Sequence, residues 1–331
     1  MELFRSYSFF TILNESIKLL PKNGKLMALI AMFSAVLSSC SVLLFKYSLQ
    51  SLLTDMIVTA QLLFMPDLSS FNIPADPNSS PPSDPSAFMP KTGLITDRLG
   101  HLGDDFARLL ALQTAFILVV SIISFLSSVS TVLVSAVSYN SKTLSLKDLF
   151  SGIWTTWTRP LITTLYVSGL AIGYFVVVAM LAVPLLMYSS RVTFWAAVLL
   201  GTTSSILYLY LFVTWGLAVV VSVVEGCYGM EALAKSAALV KGKRVHGFLL
   251  NVSVNVVLLV IYEAYRVIFG HKGLMNTTMY ALFVASVTSF AKMLLVVAYT
   301  VLYYHCKKHH GEEIELHGSF FYQYAKLPTT Q

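Results

Sequence analysis

The sequence predicts an all-α, polytopic membrane helical bundle with about six transmembrane helices and three cytosolic interfacial amphipathic helices. Its 331 residues are 56% hydrophobic and only 11% charged, whereas a soluble domain carries about a quarter charged residues to keep its surface wet. The apolar residues also fall in blocks long enough to cross a hydrocarbon layer, for which roughly 20 residues suffice. Lysine and arginine, finally, are divided unevenly between alternate connecting segments, the pattern that orients such blocks. The net charge of +6 is scattered through short loops with no basic patch interleaved with aromatics. Nucleic acid is therefore not an expected partner.

Residues 1–25 form the expected cytosolic N-terminal amphipathic segment. Glu2, Arg5, Glu15, Lys18, Lys22 and Lys25 leave no room for a cleavable signal peptide, so the first apolar block is expected to act as an uncleaved anchor. The spans are Leu26–Phe45, Leu110–Val137, Leu161–Tyr188, Val192–Val223, Phe248–Ile268 and Tyr280–Tyr304, which set the membrane domain at 26–304. Several exceed the minimum length, implying tilt or extension beyond the bilayer. Pro184 is expected to kink the third span near its end.

Between the first two spans lies the expected lumenal loop, 46–109. Its centre, 71–90, is rich in proline, serine and aspartate and reads as disordered. Its ends carry apolar residues at helical spacing, such as Leu49, Leu52, Leu53 and Met56, then Leu99, Leu102 and Phe106, so they should continue the spans as amphipathic helices. Fourteen of the 22 lysines and arginines lie in the two tails and the 138–160 and 224–247 loops, which assigns both termini to the cytosol. Two glycosylation sequons, at Asn78 and Asn276, then fall on the lumenal side. The expected cytosolic tail, 305–331, holds Tyr324-Ala325-Lys326-Leu327, which fits a tyrosine-based sorting pattern through Tyr324 and Leu327.

Three cytosolic segments, Phe9–Lys25, Leu144–Pro160 and Met230–Arg244, each join an amphipathic stretch to a basic flank and an entering span. They read as three diverged copies of one unit: interfacial helix, span, lumenal turn, span. In the third, a helix over Met230–Val240 should turn Met230, Leu233, Ala237 and Val240 inward.

Polar residues inside the spans are the candidate sites. Ser121, Ser124, Ser128, Thr131, Ser135 and Ser138 recur at spacings of three and four along one face of the second span. They suit close helix packing, or else a polar path for a solute. Gly169 and Gly173 in the third span form a similar small-residue packing contact. Lys292 lies twelve residues from either end of the sixth span, about 18 Å from each boundary, where a lone charge costs at least ~2.5 kcal/mol. Folding the last two spans as an antiparallel pair brings it level with residues 256–259, within a turn of Asn255 and with Asn251 a turn deeper. Lys292 is expected inside the bundle, held by Asn255 or nearby carbonyls to fix register, or else serving transport. Glu263 is expected to pair with Arg266 at i+3. Glu225, at the end of the fourth span, should cap the following helix or pair with Lys235 or Lys241.

Soluble-enzyme signatures are missing: no phosphate-binding glycine loop, zinc-protease helix or glycine-flanked nucleophilic serine occurs. His305, Cys306, His309 and His310 read as a solvated boundary rather than a metal site. Cys40, Cys227 and Cys306 are too few and too far apart for a disulfide framework. No cofactor or metal is expected.

The stretch Val223-Val224-Glu225-Gly226, then Gly229 through Ser236 with Ala232 and Leu233, then Leu239-Val240-Lys241-Gly242, carries a family resemblance. It resembles the "E-G … A-L-x-x-S … L-x-x-G" segment of the membrane domain associated with glycerophosphodiester phosphodiesterases. The chain as a whole resembles a plant family of uncharacterised six-span transmembrane proteins. That resemblance marks Glu225, Gly226, Ala232, Leu233, Ser236 and Gly242 as motif positions. The phosphodiesterases' catalytic barrel has no counterpart in this sequence, so hydrolase activity is not carried over.

The expected function is that of a non-enzymatic membrane protein of the endomembrane system or plasma membrane, a scaffold, adaptor or lipid-environment organiser. Its partners would be membrane lipids, and proteins reached through the cytosolic loops and tail. The alternative is a small-solute or lipid transporter or channel using the polar site around Lys292.

Overall fold

A long apolar segment in hydrocarbon must satisfy every backbone N–H and C=O within itself, and the helix is the structure that does so. The computed structural model describes residues 2–64, 92–140, 144–187, 190–241, 243–270 and 276–311. Helix takes 93% of these and none lies in a strand. The elements are α1 (Glu2–Leu19), a 3-10 turn (Pro21–Asn23), α2 (Gly24–Phe64), α3 (Thr92–Tyr139), α4 (Leu146–Thr156), α5 (Thr158–Met187), α6 (Arg191–Val224), α7 (Met230–Leu239), α8 (Arg244–Gly270) and α9 (Thr277–His309). The order is a shorter helix followed by two long ones, three times over. Among the described residues six helices are long and apolar enough to cross a membrane. The 71–90 segment, Asn78, Gly242, Tyr324 and Leu327 lie outside the described residues.

The long helices overrun the apolar blocks. The first span, expected over Leu26–Phe45, sits in a helix of 41 residues, and α3 is 48 residues long. The apolar spacing flanking the loop is thus built as direct continuations of α2 and α3. Pro184 does not end α5, which runs on to Met187.

The chain forms two compact units. One, Ser39–Ile122, holds the outer halves of α2 and α3; in it Phe45 stacks on Phe116 with ring centroids 4.3 Å apart, and Asp105 pairs with Arg108 at 3.4 Å. The other, Met1–Ser38 with Ile123–Gln331, holds the main core. There the final turns of α3, α6 and α9 bury Val129, Leu133, Leu217, Val221, Val297 and Leu302 almost completely. Water does not drive such packing between membrane helices, so close contact and interhelical hydrogen bonds must. Gly247 shows how close the contact is, since a Cβ there would stand 2.3 Å from a Val213 methyl.

The hydroxyl stripe of α3 packs rather than opens. Thr131, Ser135 and Ser138 are fully buried and donate to carbonyls of their own helix, Ser127, Thr131 and Val134 respectively. Two also tie helices together: Ser135 donates to Thr300 Oγ1 at 3.2 Å, and Ser138 accepts from Asn23 Nδ2 at 2.7 Å. Ser124 and Ser128 are half-buried, whereas Ser121 is exposed and does not share the packing. Gly169 and Gly173 also depart from expectation. Both lie on an uncovered face of α5, and a Cβ at either would meet no described atom within 4 Å. The outer neighbour of α5 is left to the surroundings, because its one packed face is spent on α6.

The last span also extends further than expected. α9 continues to His309, carrying Cys306 into the core at 1% exposure, and His305 Nε2 meets Glu15 of α1 at 2.6 Å. These two residues are packing groups, not a solvated boundary. Tyr304 stacks on Tyr139 of α3 at 4.2 Å, which joins three elements at the same end. Since Lys235, Arg244, Lys307 and Lys308 gather here, we call it the basic end.

Candidate functional site

The densest polar arrangement is built around Glu225, the first residue beyond α6. Helix α6 must stop and turn so that α7 can fold back beside it, and two glycines make the turn. Gly226 and Gly229 have φ of +77° and +62°, a region open to glycine without the Cβ clash other residues meet. Gly226 also leaves space for the Arg159 guanidinium, which a Cβ would meet at 2.5 Å. The Gly229 N–H donates to Thr163 Oγ1 of α5 at 3.0 Å. The turn is thereby fixed to the start of α5.

The Glu225 side chain, 4% exposed, gathers groups from two other helices. Its Oε1 accepts from the Tyr303 hydroxyl and from Lys307 Nζ at 3.1 Å, both on α9. Its Oε2 faces Lys235 Nζ of α7 at 2.5 Å. Burial by itself would raise the carboxyl, but hydrogen bonds from Lys235, Tyr303 and Lys307 outweigh it and hold the group below the ordinary carboxylate range. Glu225 therefore pairs with Lys235, one of its expected partners, and with Lys307 rather than Lys241. The neighbouring Cys227 thiol is pushed up, by burial first and by Glu231 next, the opposite of what a nucleophile needs.

Helix α7 is held along its length. Ser236, fully buried, donates to the Thr214 carbonyl of α6 at 3.0 Å, and Ala232 beside it is equally buried. At the C-terminus, where orphan carbonyls attract cations, Arg244 donates to the Ala237 carbonyl at 3.3 Å. The inward face differs from the expected one. Val240 is buried and Leu233 and Ala237 are half-buried, but Met230 is 58% exposed; Ala232, Ser236 and Leu239 take the contact with the bundle. The reason is that α7 docks on α6 through small residues rather than presenting one broad apolar stripe. The motif positions Glu225, Gly226, Ala232 and Ser236 are thus turn, lock and contact in one device.

Within the spans, Asn251 is fully buried, accepts from the Tyr299 hydroxyl at 2.7 Å and reaches the Leu209 carbonyl at 3.5 Å. It ties α8 to α9 and α6. Tyr262 and Thr288 meet at 2.6 Å about three turns further along the same pair of helices. Glu263 pairs with Arg266 at 2.7 Å as expected. Lys292 does not behave as expected. Ala291 and Met293 on either side of it turn into the core, whereas Lys292 is exposed and has no hydrogen-bond or ion-pair partner among the described residues. Asn255 does not hold it, because that amide donates to the Asn251 carbonyl of its own helix at 2.8 Å. The register was legible, but the rotation of α9 about its axis was not. Asn276, the second sequon, caps α9 by accepting from the Thr278 N–H at 3.0 Å. Among the described residues no three His, Cys, Asp or Glu side chains gather as metal ligands.

Sequence reasoning missed Tyr299, Tyr303 and Lys307. The signal available for the last two was an i, i+4 pair of polar groups in the final turns of α9, facing the level of Glu225.

Six long apolar helices with a charged lock at one end define a multi-pass membrane protein. The chain belongs to the family described as domain of unknown function DUF8558, whose model matches residues 89–319. That match takes in α3 to α9, and with them the Glu225 lock and Lys292. No curated protein and no solved structure matches the chain.

Proposed function

We propose that this chain is a non-enzymatic scaffold or adaptor of the endomembrane system or plasma membrane, with the basic end and both termini in the cytosol. The observation that carries this reading is the direction of its polar groups. The hydroxyls and amides inside the bundle are consumed in bonds to their own helices, as at Thr131 and Asn255, and in ties between helices, as at Ser135–Thr300 and Tyr299–Asn251, while the ionic group at mid-span faces outward. A solute path would need those inner groups available along a continuous line, so packing of the hydroxyl stripe favours assembly over transport. Fourteen basic residues on the proposed cytosolic side support the orientation and suit contact with anionic lipid. The resemblance of Glu225–Gly242 to the membrane domain associated with glycerophosphodiester phosphodiesterases belongs to the same reading, because the motif residues hold an interfacial helix in place.

Purification of the full chain in mild detergent, followed by mass spectrometry of proteins and lipids, tests the proposal. A stoichiometric membrane-protein partner is the expected result. A stoichiometric small solute without any protein partner would replace the scaffold with a transporter.

A further inference from the structure

We propose that the Lys292 face of α9 is a docking site for a transmembrane helix of another protein carrying an aspartate or glutamate near mid-depth. The proposal rests on the scaffold reading and names the chemistry of its partner.

The placement of Lys292 carries the argument. The Tyr262–Thr288 and Tyr299–Asn251 bonds share one antiparallel register, which sets Lys292 level with Leu258. Neither residue is near a helix end: α8 spans Arg244–Gly270 and α9 spans Thr277–His309. Lys292 stands about 18 Å from either end of the apolar stretch 280–304, beyond the reach of its side chain to a headgroup. Its neighbours on the same face of α9, Thr288, Leu295 and Val296, are half-buried, and at the same level of α8 Val257 and Leu259 are exposed at 55% and 63%. A lone exposed ammonium at mid-depth requires a partner, and charges in that position pair with one another or with carbonyls. A helix carbonyl already accepts one bond within its helix and offers a partial charge, whereas a carboxylate offers a full opposite charge and is the stronger partner.

A second copy of this chain does not supply one. The carboxylates of its six candidate spans are Glu15, Asp55, Asp104, Asp105 and Glu263. Each lies within a few turns of an end of its span, and Asp105 and Glu263 are already paired with Arg108 and Arg266. A lipid phosphate lies at the headgroup level, too far from Lys292. The fitting occupant is a foreign helix with an acidic residue opposite Lys292.

The test uses the full-length chain, fluorescently labelled and reconstituted in phosphatidylcholine vesicles. Labelled leucine–alanine single-span peptides carry aspartate, leucine or lysine at their centre, and energy transfer reports association. The expected result is association with the aspartate peptide about tenfold stronger than with the leucine peptide. Lys292→Arg should keep that preference and Lys292→Met should abolish it, with both variants eluting as wild type in size-exclusion chromatography. Equal association of the aspartate and leucine peptides with the wild-type chain overturns the proposal, as does a preference that survives in Lys292→Met. Self-association of the chain that competes with the peptide and depends on Lys292 overturns it in favour of a second copy. A protein partner found by purification whose binding is unchanged in Lys292→Met overturns this inference alone and leaves the scaffold standing.

Discussion

Glu225 Oε1 and Lys307 Nζ lie 3.1 Å apart, one just past the end of α6 and the other in the last turn of α9, and both side chains are less than a tenth exposed. A buried pair of this kind makes a position specific more than it makes a protein stable, since desolvation offsets much of the attraction. Breaking it from one side is a different matter, because the remaining charge stays buried.

Glu225→Gln is therefore expected to destabilise the bundle by about 3 kcal/mol, the cost of leaving Lys307 buried without its counter-charge. The pH dependence has a definite sign. The folded carboxyl is held below its ordinary value of 4.5, so its contribution is complete above that pH and is lost as the pH falls through the lower, folded value. Melting of the detergent-solubilised chain should drop below pH 4.5 in the wild type and change less in Glu225→Gln. Parallel acid profiles for the two would refute the assignment.

Two glycine substitutions should have opposite outcomes. Gly226→Ala places a Cβ at positive φ and 2.5 Å from the Arg159 guanidinium, at a cost of about 1–2 kcal/mol from the backbone alone. Gly169→Ala puts a methyl on an open helix face and should be neutral or stabilise by up to about 1 kcal/mol through helix propensity. Thermal melting of both variants in one detergent decides the matter, and a destabilised Gly169→Ala would show that this face is packed after all.

Tyr299→Phe removes the donor to Asn251 Oδ1 while leaving the amide fully buried, which should cost about 1–3 kcal/mol. Asn255→Leu loses a bond made within its own helix and should change stability little. Equal losses in the two variants would mean that Asn251 is not the tie between α8 and α9.

Cysteine-accessibility labelling in sealed membranes should report positions 91 and 272 from one side and positions 142, 241 and 326 from the other. Protection of 230–246 from the side that reaches residue 326 would refute the six-span topology with the basic end and the tail on one side.

The sequence by itself determined the number, order and approximate extent of the six long helices and the repeated short helix before each pair. It could do so because backbone satisfaction in hydrocarbon is local to each segment, and so is the positioning of a pair such as Glu263–Arg266. The level of Lys292 along the bundle was legible too, from chain length and a constant rise per residue. Only the tertiary structure decided which face of each helix meets a neighbour. It turned Lys292 outward, left Gly169 and Gly173 uncovered, and brought Tyr303 and Lys307 to Glu225 across 78 and 82 residues of chain. The physical reason is that helices apolar all round offer no preferred face. Their rotation is set by a few close contacts and interhelical bonds, such as Gly247 on Val213 and Tyr299 on Asn251, whose partners lie far away in the chain.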